Sequence, residues 1–228
     1  MRKPIAIFCT CLAGAVIPAW AGGQALEQGR TIATNGVEGA SACTSCHGAN
    51  GAGNAAAGFP RLAGLGAGYL AKQLDDMAAG VRPSAVMQPT AKALTPAQRR
   101  DVAAYYASLP SPYPEAAAPK ADQATPSNRG EWLAIRGDWL NGVPACNQCH
   151  GPNGVGVGDA FPALLGQSKA YLAAQLQAWQ QGRRSPLPLG LMPAVASRLT
   201  AADIDAVSTY YSGLAQSAAE QPDQGGKP

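Results

Sequence analysis

The feature that most constrains this chain is a short motif, Cys-x-x-Cys-His, that occurs twice. The first copy runs from Cys43 to His47 and the second from Cys146 to His150. The chain has six cysteines and two histidines in 228 residues, so these two motifs contain both histidines. The fold is therefore expected to place both histidines in equivalent surroundings.

The sequence after each motif is also repeated, which indicates a duplicated domain of about 90 residues. The offset between the copies is 103 at the motifs and 102 from Phe59 to Gly80. It is 105 after Gly80, because the second copy holds three extra residues there. The matching pairs are Phe59-Pro60 with Phe161-Pro162, Tyr69 to Leu74 with Tyr171 to Leu176, Gly80 with Gly182, Met87 with Met192, Leu94-Thr95 with Leu199-Thr200, and Tyr105-Tyr106 with Tyr210-Tyr211.

The segments outside the repeats have a composition of their own. Arg2 and Lys3, an apolar run and Ala19-Trp20-Ala21 form a pattern typical of a secretory signal peptide. Five prolines between Pro110 and Pro126 predict an extended, semi-rigid linker. The predicted organisation is a signal peptide at 1–21, a first domain at 22–112, a linker at 113–127, a second domain at 128–215 and a polar tail at 216–228. No other apolar run reaches the roughly 20 residues that a transmembrane helix needs, so we predict a periplasmic protein without a transmembrane segment.

Capping signals and apolar spacing predict an all-α fold. Thr95 and Thr200 each resemble a helix N-cap, with Gln98 and Asp203 at the third helical position. We expect the helix after each cap to end near the second tyrosine of its Tyr-Tyr pair. Residues 69–79 and 171–181 show helical spacing, and each run is followed by glycine. The glycine-rich segments after the two motifs are predicted to be loops.

Cys-x-x-Cys-His is the sequence to which a c-type haem is attached. The two thiols, one helical turn apart, add to the vinyl groups, and the histidine faces the iron. Only 6% of the residues are aromatic, so a conventional core would be underfilled, and a buried haem in each repeat supplies the missing apolar volume. We predict two covalently bound haem c groups, held by Cys43, Cys46, Cys146 and Cys149, with His47 and His150 as iron ligands.

Cysteine pairs have three other common roles in proteins. A zinc site would join both pairs into one ligand set, whereas each pair belongs to its own repeat. A thioredoxin-like pair would sit in a strand–helix unit, which the sequence does not predict. Disulfides are compatible with a secretory leader, but they do not explain a histidine after each pair.

The sixth iron ligand follows by elimination, because both histidines and all mature cysteines are already used. Three methionines remain in the mature sequence: Met77, Met87 and Met192. Met77 aligns with Trp179 inside a helical segment, which favours core packing. Met87 aligns with Met192, and both are expected in an irregular stretch between helices. We predict Met87 and Met192 as the axial thioether ligands.

A proximal histidine usually donates its other ring nitrogen to an acceptor that orients the ring. Pro60 and Pro162 lie 13 and 12 residues after His47 and His150. Each proline carbonyl is predicted to accept this hydrogen bond, since it belongs to a stiff part of the backbone.

The charge balance does not indicate a polyanion-binding surface. The formal net charge is +3, and it falls to +1 without Arg2 and Lys3. No nucleic-acid partner is therefore predicted.

With both axial positions filled, neither iron has an open site for substrate chemistry, so we predict an electron carrier and not an enzyme. The alternative of a catalytic dihaem protein would need one open or unusually ligated iron.

These motifs together resemble class I c-type cytochromes, and the tandem pair is similar to the dihaem cytochrome c4 family. The resemblance covers both attachment motifs, both Phe-Pro segments, the helices with Tyr-Leu-x-x-Gln-Leu, the two late methionines and the closing Tyr-Tyr helices. It implies two tandem cytochrome c domains with haems close enough for electron exchange.

The resemblance also implies a periplasmic carrier with redox proteins as donors and acceptors. A terminal oxidase, another cytochrome or a dehydrogenase would fill these roles. Permanent assembly with a dehydrogenase, or peripheral association with a membrane complex, stays open at this point.

Overall fold

The structure of the protein, a computed structural model, describes residues 20–113, 125–184 and 190–220. Nearly all of the predicted signal peptide and most of the predicted linker lie outside these ranges. The described residues form α-helices, two 3₁₀ turns and four isolated β-bridges, so the all-α prediction is confirmed. The α-helices are α1 (Trp20–Asn35), α2 (Thr44–His47), α3 (Ala67–Ala78), α4 (Met87–Ala93), α5 (Pro96–Ser108), α6 (Arg129–Ile135), α7 (Asn147–His150), α8 (Lys169–Gln180), α9 (Leu191–Ala196) and α10 (Ala201–Glu220).

The two repeats have the same arrangement of helices. In the first, α5 packs against α1 and α3, and α3 contacts α4. In the second, α10 packs against α6 and α8, and α8 contacts α9. The short helices α2 and α7 carry the histidines of the two motifs. Each repeat therefore surrounds its motif with one set of helices.

The predicted helix caps are present in both repeats. The Thr95 hydroxyl accepts from the Gln98 N–H at 3.2 Å, and the Gln98 side chain accepts from the Thr95 N–H at 2.8 Å. Thr200 and Asp203 form the same reciprocal pair at 3.1 and 3.0 Å. Each pair satisfies two backbone N–H groups that a helix start leaves without a partner.

One predicted boundary is wrong. Helix α5 ends at Ser108, close to the expected position, but α10 continues to Glu220 instead of ending near Tyr211. Residues 214–220 include three alanines and no proline, so the local sequence favours helix. The first five residues of the predicted polar tail are therefore helical.

Two glycines set how closely the first and last helices of each repeat cross. A Cβ atom on Gly29 of α1 would lie 2.1 Å from the Asp101 carbonyl oxygen in α5. A Cβ atom on Gly130 of α6 would lie 2.2 Å from the Ala206 carbonyl oxygen in α10. Neither distance is sterically allowed, so only glycine fits these crossings.

The buried apolar side chains form one cluster in each repeat. Tyr106 of α5 and Tyr211 of α10 are the largest members of the two clusters and are almost fully buried. The first cluster also includes Ala163 of the second repeat, so the two repeats share packing. None of the described helices is long and apolar enough to cross a membrane.

Candidate haem sites

The second repeat contains a largely apolar cavity of ≈ 400 Å³. Four of the predicted site residues line it: Cys146, Cys149, His150 and Met192. Its volume is within the range of roughly 300–1,000 Å³ that small-molecule and cofactor sites occupy. The structure thus brings the attachment motif and the predicted methionine to one cavity.

The cysteines and histidines of each motif lie on one helical turn. The His47 N–H donates to the Cys43 carbonyl at 2.9 Å, and the His150 N–H donates to the Cys146 carbonyl at 2.9 Å. This turn places two thiols beside one imidazole, as the attachment chemistry requires. Burial raises the pKa of the Cys43 thiol and raises the pKa of the Cys146 thiol to about 11.

The described residues do not support the interpretation of the cysteine pairs as disulfides or as zinc ligands. All four cysteines are free thiols there. The described residues also contain no cluster of three or more His, Cys, Asp or Glu side chains that could hold a metal.

Both histidine rings are oriented by the predicted proline carbonyls. His47 Nδ1 donates to the Pro60 carbonyl at 2.8 Å, and His150 Nδ1 donates to the Pro162 carbonyl at 2.8 Å. The prediction is confirmed in both repeats. The hydrogen bond fixes the tautomer, so Nε2 carries the free lone pair.

The other ring nitrogen of His47 is chemically ready for a metal. His47 Nε2 is buried and has no hydrogen-bond partner, which is costly for a polar atom. Burial lowers the pKa of both His47 and His150 and favours the neutral, ligating form. A haem iron would give this nitrogen its missing partner, so the residues present fit the group.

The methionines occur in a different local structure from the predicted one. Met87 is the first residue of α4 and Met192 the second residue of α9, so the expected irregular stretch is wrong. The Met87 N–H at the start of α4 donates to the Ser84 hydroxyl at 3.0 Å. Prolines follow closely, at Pro89 and Pro193, where the first helical turn tolerates them.

Sequence reasoning missed some residues at these sites. The Phe59 and Phe161 rings lie 6.0 and 6.1 Å from the His47 and His150 rings, between centroids. The repeated Phe-Pro pair was a signal for them. Leu65, Tyr69 and Lys72 of the first repeat line the cavity of the second, and no sequence signal predicts that contact.

Two family models match the chain, one in each repeat. The model described as Cytochrome c matches residues 26–110. The model described as Cytochrome C oxidase, cbb3-type, subunit III matches residues 141–210. Both matched ranges contain one attachment motif.

A curated relative covers most of the chain. The thiosulfate dehydrogenase electron acceptor of Thiomonas intermedia (strain K12) is 52% identical over 176 residues, which is 75% of this chain and 77% of the relative. Its name describes an electron carrier.

Two solved structures are also similar. A thiosulfate dehydrogenase from Marichromatium purpuratum aligns with a TM-score of 0.73 and 46% identity over 82% of this chain, which spans only 40% of that longer chain. Reduced cytochrome c4 from Pseudomonas stutzeri aligns with a TM-score of 0.65 and 35% identity, covering 86% of this chain and 98% of that one. With two cytochrome c domains and a full-length match of this kind, the chain belongs to the dihaem cytochrome c4 family: it is an electron-transfer protein with two covalently bound haem c groups.

Proposed function

We propose that this cytochrome accepts single electrons from a thiosulfate dehydrogenase in the periplasm. The observation that carries the proposal is the 52% identity to a thiosulfate dehydrogenase electron acceptor. The 46% identity to part of a thiosulfate dehydrogenase chain supports it independently. The dehydrogenase would oxidise thiosulfate, and the two haems held by this chain would supply one-electron acceptor sites for the electrons released.

The residues of this chain hold and orient the two haems. In the first repeat, the Cys43 and Cys46 thiols would form the thioether bonds, and His47 and Met87 would ligate the iron. In the second repeat, Cys146 and Cys149 would form the thioether bonds, and His150 and Met192 would ligate the iron. The two proline carbonyls keep the imidazoles in the ligating tautomer. With these ligands neither iron would keep an open position for a substrate, so the proposed role is electron transfer without catalysis at iron.

The electrons that this protein accepts must then pass to a further acceptor. Residues 141–210 of the second repeat match the model described as Cytochrome C oxidase, cbb3-type, subunit III, and the match to cytochrome c4 covers 86% of this chain. Delivery to a terminal oxidase would return both irons to the ferric state. The cytochrome would then connect the dehydrogenase to respiration.

The experiment mixes the oxidised holoprotein with a purified thiosulfate dehydrogenase and thiosulfate under anaerobic conditions. Haem absorbance is expected to show full reduction of both haems only when enzyme and thiosulfate are both present. An unrelated monohaem cytochrome c at equal haem concentration is the matched control. Reduction no faster than that of the control would reject the proposed donor, and reduction by thiosulfate alone would reject the non-enzymatic role.

A further inference from the structure

In the first repeat, a side chain of α5 holds the end of the helix that begins with Met87. The Arg99 guanidinium donates to the Ala91 carbonyl at 3.1 Å and to the Leu94 carbonyl at 2.6 Å. Its Nε atom donates to the Asp75 carboxylate of α3 at 2.6 Å. Arg99 thus joins the end of α4 to both α3 and α5, and its side chain is only 13% exposed.

The second repeat holds the same two carbonyls with a different side chain. The Gln180 amide of α8 donates to the Ala196 carbonyl at 2.9 Å and to the Leu199 carbonyl at 2.8 Å. These carbonyls align with those of Ala91 and Leu94 at the offset of 105. We call each donor together with its two carbonyls a carbonyl clamp. Each repeat has one, at the end of its methionine-bearing helix.

The two donors do not align with each other. Arg99 is the fourth residue of α5, and the fourth residue of α10 is the buried Ile204. Gln180 is the last residue of α8, and the last residue of α3 is Ala78. Each repeat therefore has an apolar side chain where the other has its donor. The hydrogen bonds recur although the residue that supplies them differs, which indicates that these carbonyls need a donor.

Burial explains this need. The four residues whose carbonyls are held are all buried: Ala91, Leu94, Ala196 and Leu199. The last carbonyls of a helix have no partner within the helix, and a buried carbonyl is normally paired. A side chain from a neighbouring helix supplies the donor in both repeats.

The clamps lie one helical turn from the methionines. Ala91 is four residues after Met87, and Ala196 is four residues after Met192. Residues at this spacing lie on the same face of a helix. Helices of seven and six residues are too short to be stable by themselves. The position of each methionine therefore depends on what holds its helix to the rest of the repeat.

We propose that Arg99 and Gln180 are positioning residues, each of which keeps the methionine of its own repeat on the haem iron by holding the methionine-bearing helix in place. The inference deepens the proposed electron-acceptor function and rests on its assignment of Met87 and Met192 as iron ligands. A residue that does not touch a metal can strengthen ligation by fixing the ligand that does.

The two clamps differ in their access to solvent. The Arg99 side chain is mostly covered, whereas Gln180 is exposed, so water can replace its amide at the two carbonyls. Loss of Arg99 should therefore weaken methionine ligation more than loss of Gln180.

The test is a titration of the ferric holoprotein with imidazole, which competes with methionine for the iron. The methionine–iron charge-transfer band follows the displacement, fitted as two steps, one for each haem. Arg99→Ile introduces the residue that α10 has at the equivalent position. It should lower the half-displacement concentration of one step by roughly threefold to tenfold, because two hydrogen bonds are lost. Gln180→Ala should lower that of the other step by roughly twofold to threefold.

Two further variants separate positioning from other effects. Arg100→Ile is the matched control, because it removes the same charge from an exposed neighbour in α5, and it should shift neither step. Ala78→Gln, added to Arg99→Ile, places an amide at the end of α3, where α8 has Gln180. It should restore the half-displacement concentration towards the wild-type value without restoring the ion pair to Asp75.

The number of steps that move distinguishes the outcomes. If Arg99→Ile shifts both steps equally, or neither, the proposal is overturned, and it is also overturned if Ala78→Gln restores nothing. Gln180→Ala tests the same claim at an exposed residue, where a failure to fold is not expected. A wild-type protein without the charge-transfer band would contradict methionine ligation itself, whereas a band that no clamp variant affects would contradict only the positioning role. No thiosulfate dehydrogenase is needed, so the proposed donor is tested separately.

Discussion

At the level of single residues, the surroundings of Met192 and Met77 distinguish an iron ligand from a core residue. Met192 lines the haem cavity, whereas Met77 is buried in α3 and 8% exposed. Met192→Ala is expected to leave the second haem attached through Cys146 and Cys149 but to abolish its methionine–iron charge-transfer band. Met77→Ala should keep both bands and lower the free energy of unfolding by about 2–5 kcal/mol. Absorbance spectra and denaturant unfolding of the two variants check both results; the reverse pattern would contradict the assignment.

Asp203 makes the cap of α10 sensitive to acid, whereas the equivalent cap of α5 is not, because Gln98 occupies that position in the first repeat. Burial alone would raise the pKa of Asp203, but hydrogen bonds from Arg129 and Thr200 outweigh it and lower the pKa. The stabilisation is therefore present above the unfolded pKa of about 3.9 and is lost as the pH falls through the lower folded value.

Asp203→Asn should destabilise the protein by about 1–2 kcal/mol at pH 7 and by less at pH 3. Urea unfolding at both pH values measures the difference. Asp205→Asn is the control, since Asp205 is an exposed neighbour in the same helix with an ion pair to Lys169 at the surface. Equal losses at pH 7 and pH 3 for Asp203→Asn would contradict the account.

Residue roles were predicted best where a residue with a suitable chemical group recurs at the same spacing in both repeats. The Pro60 and Pro162 carbonyls were found because the same residue recurs at nearly the same distance from each histidine. The local structure of Met87 and Met192 was predicted wrongly, because both lie in short helices, α4 and α9, where an irregular stretch was expected. Helices of seven and six residues are too short for a helical spacing of apolar residues to show in the sequence.

At the scale of helices, the crossings of α1 with α5 and of α6 with α10 depend on one glycine each. Gly130→Ala is expected to cost about 1–3 kcal/mol, because the new methyl group overlaps the Ala206 carbonyl and the helices must separate. Gly213→Ala in α10 is the matched control, since its Cβ meets nothing within 4 Å, and it should stabilise by up to about 1 kcal/mol. Thermal unfolding measures the stability of both variants, and equal effects would show that the crossing of α6 with α10 has room for a methyl group.

Helices with strong caps or apolar spacing were predictable, and the others were not. α3, α5 and α8 lie within two residues of their predicted ranges. α1 and α6 were not predicted, because their glycines lower helix propensity although the same glycines are required for close packing. The extension of α10 depends on an alanine-rich segment that was interpreted as a tail.

At the scale of the whole molecule, every residue that we propose as a haem or iron ligand lies in the same repeat as its haem, but residues of the first repeat help to line the cavity of the second. Expressed separately with a secretion leader, residues 22–118 and 119–228 should each attach one haem and show methionine ligation. The second half lacks Leu65, Tyr69 and Lys72, which line its cavity in the full chain. Its haem should therefore be more solvated and have a lower potential than in the intact protein.

Spectra and redox titrations of the halves and the full chain make this comparison. An equal mixture of the two halves is the control for simple re-association. A half that attaches haem without methionine ligation would show that a ligand crosses between repeats.

The contact between the repeats is the part that sequence reasoning did not predict. Arg61 donates to the Leu165 carbonyl at 2.8 Å, and Gln167 exchanges two hydrogen bonds with the Arg61 backbone. These partners are more than 100 residues apart, and Arg61 and Gln167 align with Ala163 and Leu65 in the other copy. A repeat reveals equivalent positions within each copy, but not which faces of the two copies meet.

We expect both irons to be six-coordinate with histidine and methionine ligands, so that the protein transfers electrons without binding substrate at iron. Adding carbon monoxide to the fully reduced protein tests this coordination. Haem absorbance at both irons should stay unchanged, since no axial position would be open. Rapid, stoichiometric binding of carbon monoxide at either haem would reveal an open site and contradict it.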